Sequence, residues 1–477
     1  MKGRILLSVI MSTVLLLAPC AFAQGAGQDT SALAKFQNEL KHDGFYVTPG
    51  TVEVWNMTAD WCAAKPGVKH AWYTNNAPYL RLVVPESAHQ STLIQDFQLD
   101  RDEAIVLIGV TPPLEKYFAY YAWVATKVYP DGKKLKDLVI GVGDPVNNLT
   151  IKTTGPTPFN RPVVLIFTPD QGTDARVRAA LERAGYPTEI INTVVIPASM
   201  LNLGHGEDAD VFRIGMRNAI WLEEDAGNSY IMNAPQTQHL FRVTPRTPAP
   251  KRDSDPFPMP PLRIRGTGHS ELYLWNKLAE LRKNIIAAMK PWIATDIPIT
   301  VPVGYEGYDD MQRRNPTGGD ARDAFCLNGG YLPEFGSWDE ITLADGEFLM
   351  VFGANHVATG KATYMSINVY TGMEEDGKLA IGTIDDRDFK DTASRYLDDP
   401  AADVMYAYKI SRTCEGVKPP CLPLSAPEGC NRLKLDSETV LGVLFRMYLE
   451  PATKTGAVMP EVLYDRMMKF SPQPPQP

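Results

Sequence analysis

Histidine and cysteine are scarce in this sequence, with seven and six in 477 residues. The common catalytic signatures are missing as well. No Gly-x-Ser-x-Gly elbow occurs, which removes the usual α/β-hydrolase nucleophile. Neither His-Glu-x-x-His nor a Gly-x-Gly-x-x-Gly after a strand is present, which removes the zincin and dinucleotide-binding readings. The lack of Cys-x-x-Cys-His removes covalent haem. Gly372 to Lys378 matches Gly-x-x-x-x-Gly-Lys, but Leu379 stands where Mg²⁺ needs a hydroxyl, and Glu374, Glu375 and Asp376 would repel phosphate. The segment reads instead as an Asp-Gly hairpin turn. Basic stripes are missing too. A net charge of −9 argues against a nucleic-acid partner, because little is there to displace counterions from phosphates. Beyond residue 23 no run of 18 apolar residues exists, so no membrane span is expected and the chain reads as soluble.

What is there begins with a leader. Lys2 and Arg4 precede the apolar run Ile5 to Leu17, and Ala21-Phe22-Ala23 supplies small residues for cleavage. Residues 1–23 read as a signal peptide, and the protein as exported, periplasmic or secreted. A lipoprotein signal ending at Cys20 fits less well, because Pro19 sits in a poor place. Cys62, Cys326, Cys414, Cys421 and Cys430 remain after the leader. An exported compartment permits disulfides, so one bridge is expected among Cys414, Cys421 and Cys430, and the odd total leaves at least one thiol unbridged. A zinc site there has no nearby His to support it.

Composition divides the chain. Seven prolines between Thr244 and Leu262 exclude helix and central strand, so 244–262 reads as a linker. It separates an N-terminal β-rich module, 24–243, from a C-terminal one, 263–470; the tail 471–477 is expected to be disordered. Helices are expected at Thr30 to His42, Thr173 to Ala184, Ser270 to Lys290 and Val440 to Tyr448. Strands are expected at Leu80 to Pro85, Ala104 to Ile108, Val163 to Phe167, Thr193 to Ile196, Gly346 to Phe352 and Val404 to Ile410. The segment 163–196 reads as a small βαβ-like unit.

The halves share an order of features. Leu99, Glu103 and Gly109 match Leu343, Glu347 and Gly353 at one offset, which also sets Tyr120 against Tyr364. Asp131-Gly132-Lys133 then matches Asp376-Gly377-Lys378, and Leu138, Ile140, Gly141 and Asp144 match Leu379, Ile381, Gly382 and Asp385. Duplication follows. The expected fold class is α+β and β-rich, with two related β-sandwich-like modules and flanking helices.

Four constellations are candidates for chemistry. His205, Glu207 and Asp208 lie in the Gly-rich loop Gly204 to Asp210, and could hold a metal ion. The alternative is a solvated acidic loop before a helix starting near Asp210. Arg313, Arg314 and Arg322 flank a Gly-rich turn suited to an anion, the alternative being an ion pair of Arg322 with Asp320 or Asp323 in a structural loop. In Tyr117 to Trp123, strand alternation puts Tyr117, Tyr121 and Trp123 on one face, either as a ligand wall or as core. Last, His356 follows the strand ending at Gly353, where the first half has Thr111-Pro112, and Lys361 and Tyr364 follow it. An imidazole there suits a general base, or a turn residue bonded to backbone. His269 reads as a neighbour of the Ser270 helix cap.

The functional expectation is an enzyme on a small extracytoplasmic substrate, with His356 as base, Arg322 as anion holder and Tyr364 beside them. The alternatives are a non-catalytic small-molecule or carbohydrate binding protein using Tyr117, Tyr121 and Trp123, and an envelope structural protein. No cofactor is implied beyond a metal ion.

Overall fold

The computed structural model describes residues 30–63, 77–136, 140–142, 145–247, 254–258, 265–300, 323–329, 331–332, 337–338, 341–371, 379–414, 420–431 and 433–474. The leader, Arg313, Arg314, Asp320, Arg322 and the Gly372 to Lys378 turn lie outside the described residues.

The first module supplies nine main strands: β1 (Phe45–Pro49), β2 (Thr51–Trp55), β3 (Tyr79–Pro85), β4 (Ala104–Val110), β5 (Glu115–Val128), β6 (Pro162–Thr168), β7 (Ile191–Val195), β8 (Val211–Trp221) and β9 (His239–Pro245). They form sheet one, in the order β1-β9-β4-β6-β7, and sheet two, in the order β2-β3-β8-β5, with short strands on the far side of β5. The second module supplies β10 (Ile293–Ile297), β11 (Ile299–Thr300), β12 (Ala324–Gly329), β13 (Phe348–Ala354), β14 (Tyr364–Thr371), β15 (Leu379–Asp385), β16 (Met405–Ser411), β17 (Cys421–Pro423), β18 (Gly442–Tyr448) and β19 (Arg466–Ser471). Sheet three runs β10-β19-β13-β16-β17, and sheet four runs β11-β12-β18-β14-β15. The two modules thus have one topology. Even the single parallel pair at one edge recurs, β6 with β7 and β16 with β17.

Burial orders the layers. On β4, Ala104, Val106 and Ile108 pack with Phe36 and Leu40 of α1 (Thr30–His42) and with Val177 and Leu181 of α3 (Gln171–Ala184). Ile105 and Leu107, pointing the other way as the pleat requires, pack against sheet two. The opposite face of sheet two meets sheet four, which in turn meets sheet three. The outer face of sheet three is closed by Leu278, Leu281 and Ile285 of α5 (Trp275–Ala288). Two further helices, α2 (Met57–Ala63) and α4 (Glu224–Thr237), lie in the first module. Among the described residues no helix is long and apolar enough to cross a membrane.

Several expectations change. Val440 to Tyr448 holds strand β18 (Gly442–Tyr448) rather than a helix, and Asp210 leads into strand β8 rather than a helix. Both are short apolar runs, which strand and helix share. Thr244 and Pro245 finish β9, paired with Tyr46 and Phe45, so regular structure enters the proline-rich stretch. Further along it, Asp255 and Phe257 donate backbone N–H groups to the Asp170 carboxylate and to Pro169 O beside α3. Ser471 still belongs to β19, paired with Ile293. The disulfides are Cys414–Cys421 and Cys62–Cys430, and Cys326 is outside either. The expected local bridge is there, and the third cysteine of the trio reaches the other module.

Candidate functional site

The loops after β4 and β13 leave alike. Thr111 N donates to Arg161 O, and Asn355 N to Val404 O, in each case the residue just before the neighbouring strand. From there the second loop is longer, and the constant offset read from sequence fails. Arg217 on β8 pairs with Ala119, and Arg446 on β18 pairs with Ser366. Three residues beyond each arginine, Ile220 and Leu449 both have φ of 61°. These coincidences superpose Tyr117, not Tyr120, on Tyr364. Tyr120 faces sheet one, whereas Tyr364 faces the other module; an odd shift along a strand changes the face.

The arginines define a polar layer between sheets two and four. Arg217 is 2 % exposed, and donates from Nε to the Tyr79 hydroxyl at 2.7 Å and from Nη1 to the Tyr448 hydroxyl at 2.9 Å. Rings of Tyr79, Tyr121 and Tyr448 lie 5.0, 5.4 and 5.0 Å from its guanidinium carbon. Arg446, 5 % exposed, has Tyr370, Tyr448, Cys326 and Tyr79 within electrostatic reach. The Tyr117 and Tyr121 hydroxyls share a hydrogen bond, and Tyr117 also donates to Asp323 at 2.9 Å. Asn147 Nδ2 donates to both Asp323 oxygens at 3.1 Å, and Leu449 N donates to Asp323 O at 2.6 Å. Burial, then Asp323, hold the Tyr117 phenol well above its ordinary pKa, so it stays a neutral hydrogen-bonding group. Burying a guanidinium costs several kcal/mol before compensation. A bulky residue held at positive φ costs roughly 1–3 kcal/mol. Here two of each fall in one layer.

His356 lies elsewhere. Its side chain is fully buried, and its backbone N–H meets Sδ of Met365, which alternates with Tyr364 on β14, at 3.3 Å. Nδ1 contacts the Glu271 oxygens at 2.8 and 2.9 Å, and Nε2 lies 3.4 Å from Asp465 Oδ2. Glu271 also accepts from Thr359 and from Leu463 N, and Asp465 accepts from the Tyr406 hydroxyl. Burial alone would lower the imidazole pKa; Glu271 and Asp465 outweigh it and raise it to about 10. An imidazole that stays charged near neutral pH, with both nitrogens engaged, is not poised as a base there. Lys361 is likewise committed, to Glu450 at 2.8 Å and Glu461 at 2.5 Å. Tyr364 points to the opposite side of β14 and stacks on Tyr448 at 5.6 Å. His356 and Tyr364 therefore do not converge.

The expected metal set also rearranges. His205 Nε2 lies 3.5 Å from both Asp100 Oδ2 and Glu103 Oε2, while Glu207 and Asp208 are exposed and outside the cluster. Glu103 already binds buried Arg242 at 2.6 Å. Burial would raise its carboxyl; His205 and Arg242 hold it at about 2. A guanidinium in contact repels a dication, so the group is an internal ion pair with a histidine at its rim.

Of the sequence candidates, Tyr117, Tyr121 and Trp123 do share one face, and it is the face toward the second module. They are 0–1 % exposed, so the aromatic wall is interior rather than an open groove. Trp123 stacks on Tyr121 at 5.0 Å. Sequence reasoning missed Arg217, Arg446, Tyr79 and Tyr448, and named Asp323 only as an ion-pair partner for arginine. The usable signal was an arginine amid apolar and aromatic residues in VFRIGMRNAIW and GVLFRMY.

No family model and no curated protein matches the sequence. Among solved structures, the chain is similar to a putative uncharacterized protein from Burkholderia cenocepacia, at 12% identity over 92% of this chain and 87% of that one, with a TM-score of 0.37. It is also similar to the VPA0106 protein from Vibrio parahaemolyticus, at 12% identity over 84% and 90%, with a TM-score of 0.36.

Proposed function

We propose that this is an exported, non-catalytic binding protein whose ligand is held between its two modules, on the aromatic face of β5. The observation that supports this most is the coincidence of two buried arginines and two bulky residues at φ 61° in that one layer. A joint selected for stability alone is better made of apolar residues. Ligand sites favour domain interfaces and combine apolar walls with a few convergent polar groups. The leader and the two disulfides support export. An enzyme built on His356 and Tyr364 is favoured less, because those side chains lie on opposite sides of β14 and His356 is enclosed by two carboxylates.

Native mass spectrometry of the protein purified from its extracytoplasmic fraction tests this. The expected result is a small molecule bound one to one, released unchanged on unfolding, and weakened by Tyr121→Phe. A chain that carries nothing, and that binds no member of a panel of small acids, sugars and amines, overturns the proposal.

A further inference from the structure

Inside the first module, away from the joint, two buried polar groups lack partners. In each module a polar side chain crosses the central strand at a glycine, Gln238 over Gly109 and Asp465 over Gly353. The two are not equally served. Both Asp465 oxygens are engaged, by the Tyr406 hydroxyl at 2.6 Å and by His356 Nε2 at 3.4 Å. Gln238, 3 % exposed, donates from Nε2 to Val110 O at 2.8 Å, which fixes the orientation of its amide, and its Oε1 has no donor. Tyr120 is 1 % exposed and its hydroxyl has no partner either; it lies beside the Tyr230 hydroxyl, farther than a hydrogen bond reaches. Both groups face a space that Leu80, Leu107, Met216 and Tyr230 also line, and that is too small for a water molecule. Buried polar atoms that neither protein nor solvent satisfies cost stability that apolar residues there would not.

The helix α4 closes this space, and it is loosely held. It supplies Tyr230, and Gln238 follows its last residue. Three of its 14 residues are buried, against six of 14 in α3. Pro235 inside it lacks a backbone donor, and Glu223 before it makes no side-chain cap bond. Met232, in its last two turns, is 70 % exposed. We propose that α4 is a lid over a ligand site for a small neutral aromatic alcohol, whose hydroxyl donates to Gln238 Oε1 and accepts from Tyr120. A hydroxyl is the simplest group that does both. No charged side chain lines the space, so an ion there would be buried without a counter-charge. Lifting α4 carries the Tyr230 ring out, and the vacated ring space sets the size of the ligand. The Tyr230 hydroxyl, 3.5 Å from Gln238 Nε2 and beside Tyr120, marks where the ligand hydroxyl sits.

The test is hydrogen exchange of the whole protein, read by mass spectrometry, with phenol or with toluene, its isostere lacking the hydroxyl. Without ligand, the amides of Glu224 to Thr237 should exchange about tenfold faster than those of α3. Phenol should slow them about threefold or more, and toluene should not. Tyr120→Phe removes one unpaired oxygen, so it should keep or raise Tm and lose the protection by phenol. Should that protein fold poorly, Gln238→Met should lose the protection as well. Exchange in α4 as slow as in α3 overturns the lid. Equal protection by phenol and toluene, or protection by phenol that Tyr120→Phe leaves intact, overturns the hydroxyl site. No protection by phenol at any concentration the fold tolerates overturns the site, and leaves the reading of the joint between the modules untouched.

Discussion

His356 shows how far a single residue can mislead. Its place after a strand end was visible in the sequence, and so was the loop around it. Its partners were not: Glu271, in the turn leading into α5, and Asp465, just before β19, are 85 and 109 residues away, and only tertiary packing brings them in. The same holds for Arg217, whose partner Tyr448 is 231 residues distant. Side-chain chemistry is legible one residue at a time, whereas its environment is a property of long-range contacts. His356→Gln leaves two buried carboxylates without their cation, which should cost about 3–5 kcal/mol. The sign with pH follows from the raised pKa. The histidine's contribution is complete below its unfolded value of about 6.5 and fades as pH rises through about 10. Urea titrations of both proteins should therefore show the widest gap near pH 6 and a narrowing gap toward pH 10. A constant gap would remove the charged-bracket account.

At the scale of elements, much was readable. The α1 boundaries agree with the helical pattern, and β6, α3 and β7 form the βαβ unit that the apolar runs imply, with α3 starting earlier than Thr173 behind an Asp170 cap. The two modules share one topology, but the register read from sequence drifted at the loop between β13 and β14, which is longer than its counterpart, because strand matches do not record parity. One matched pair has a physical cause that sequence alone hides. A Cβ on Gly109 would lie 1.7 Å from Gln238 Oε1, and one on Gly353 would lie 2.5 Å from Asp465 Oδ1. Gln238 and Asp465 are the residues just before β9 and β19. Each module thus needs a glycine so that a polar side chain can cross its central strand. Gly353→Ala should cost about 1–3 kcal/mol, as overpacking does, and should disturb the Asp465 contacts to Tyr406 and His356. Melting temperature reads the first effect, and the histidine NMR titration the second; an unchanged protein refutes the close-approach explanation.

For the whole molecule, the cysteine count and one local bridge were legible, while the long-range connectivity was not. Cys62 and Cys430 are separated by 368 residues and join the modules, whereas Cys414 and Cys421 are 7 apart in one loop. Chain-entropy reasoning makes the first worth on the order of 5 kcal/mol and the second about 2 kcal/mol. Paired Cys→Ala substitutions should accordingly lower Tm more for Cys62 and Cys430. The reverse order would mean that the module joint holds without its covalent tie.

The stacking of sheet two on sheet four also sets a schedule for biogenesis. Synthesis delivers the first module before the second. Until Gly442–Tyr448 follows, the face carrying Tyr117, Tyr121, Trp123 and Arg217 has no cover from its own chain. Nascent halves can then meet through that sticky surface, and a product cut in the linker is an aggregation hazard rather than a working fragment. In the folded chain the second module is what covers that face of the first.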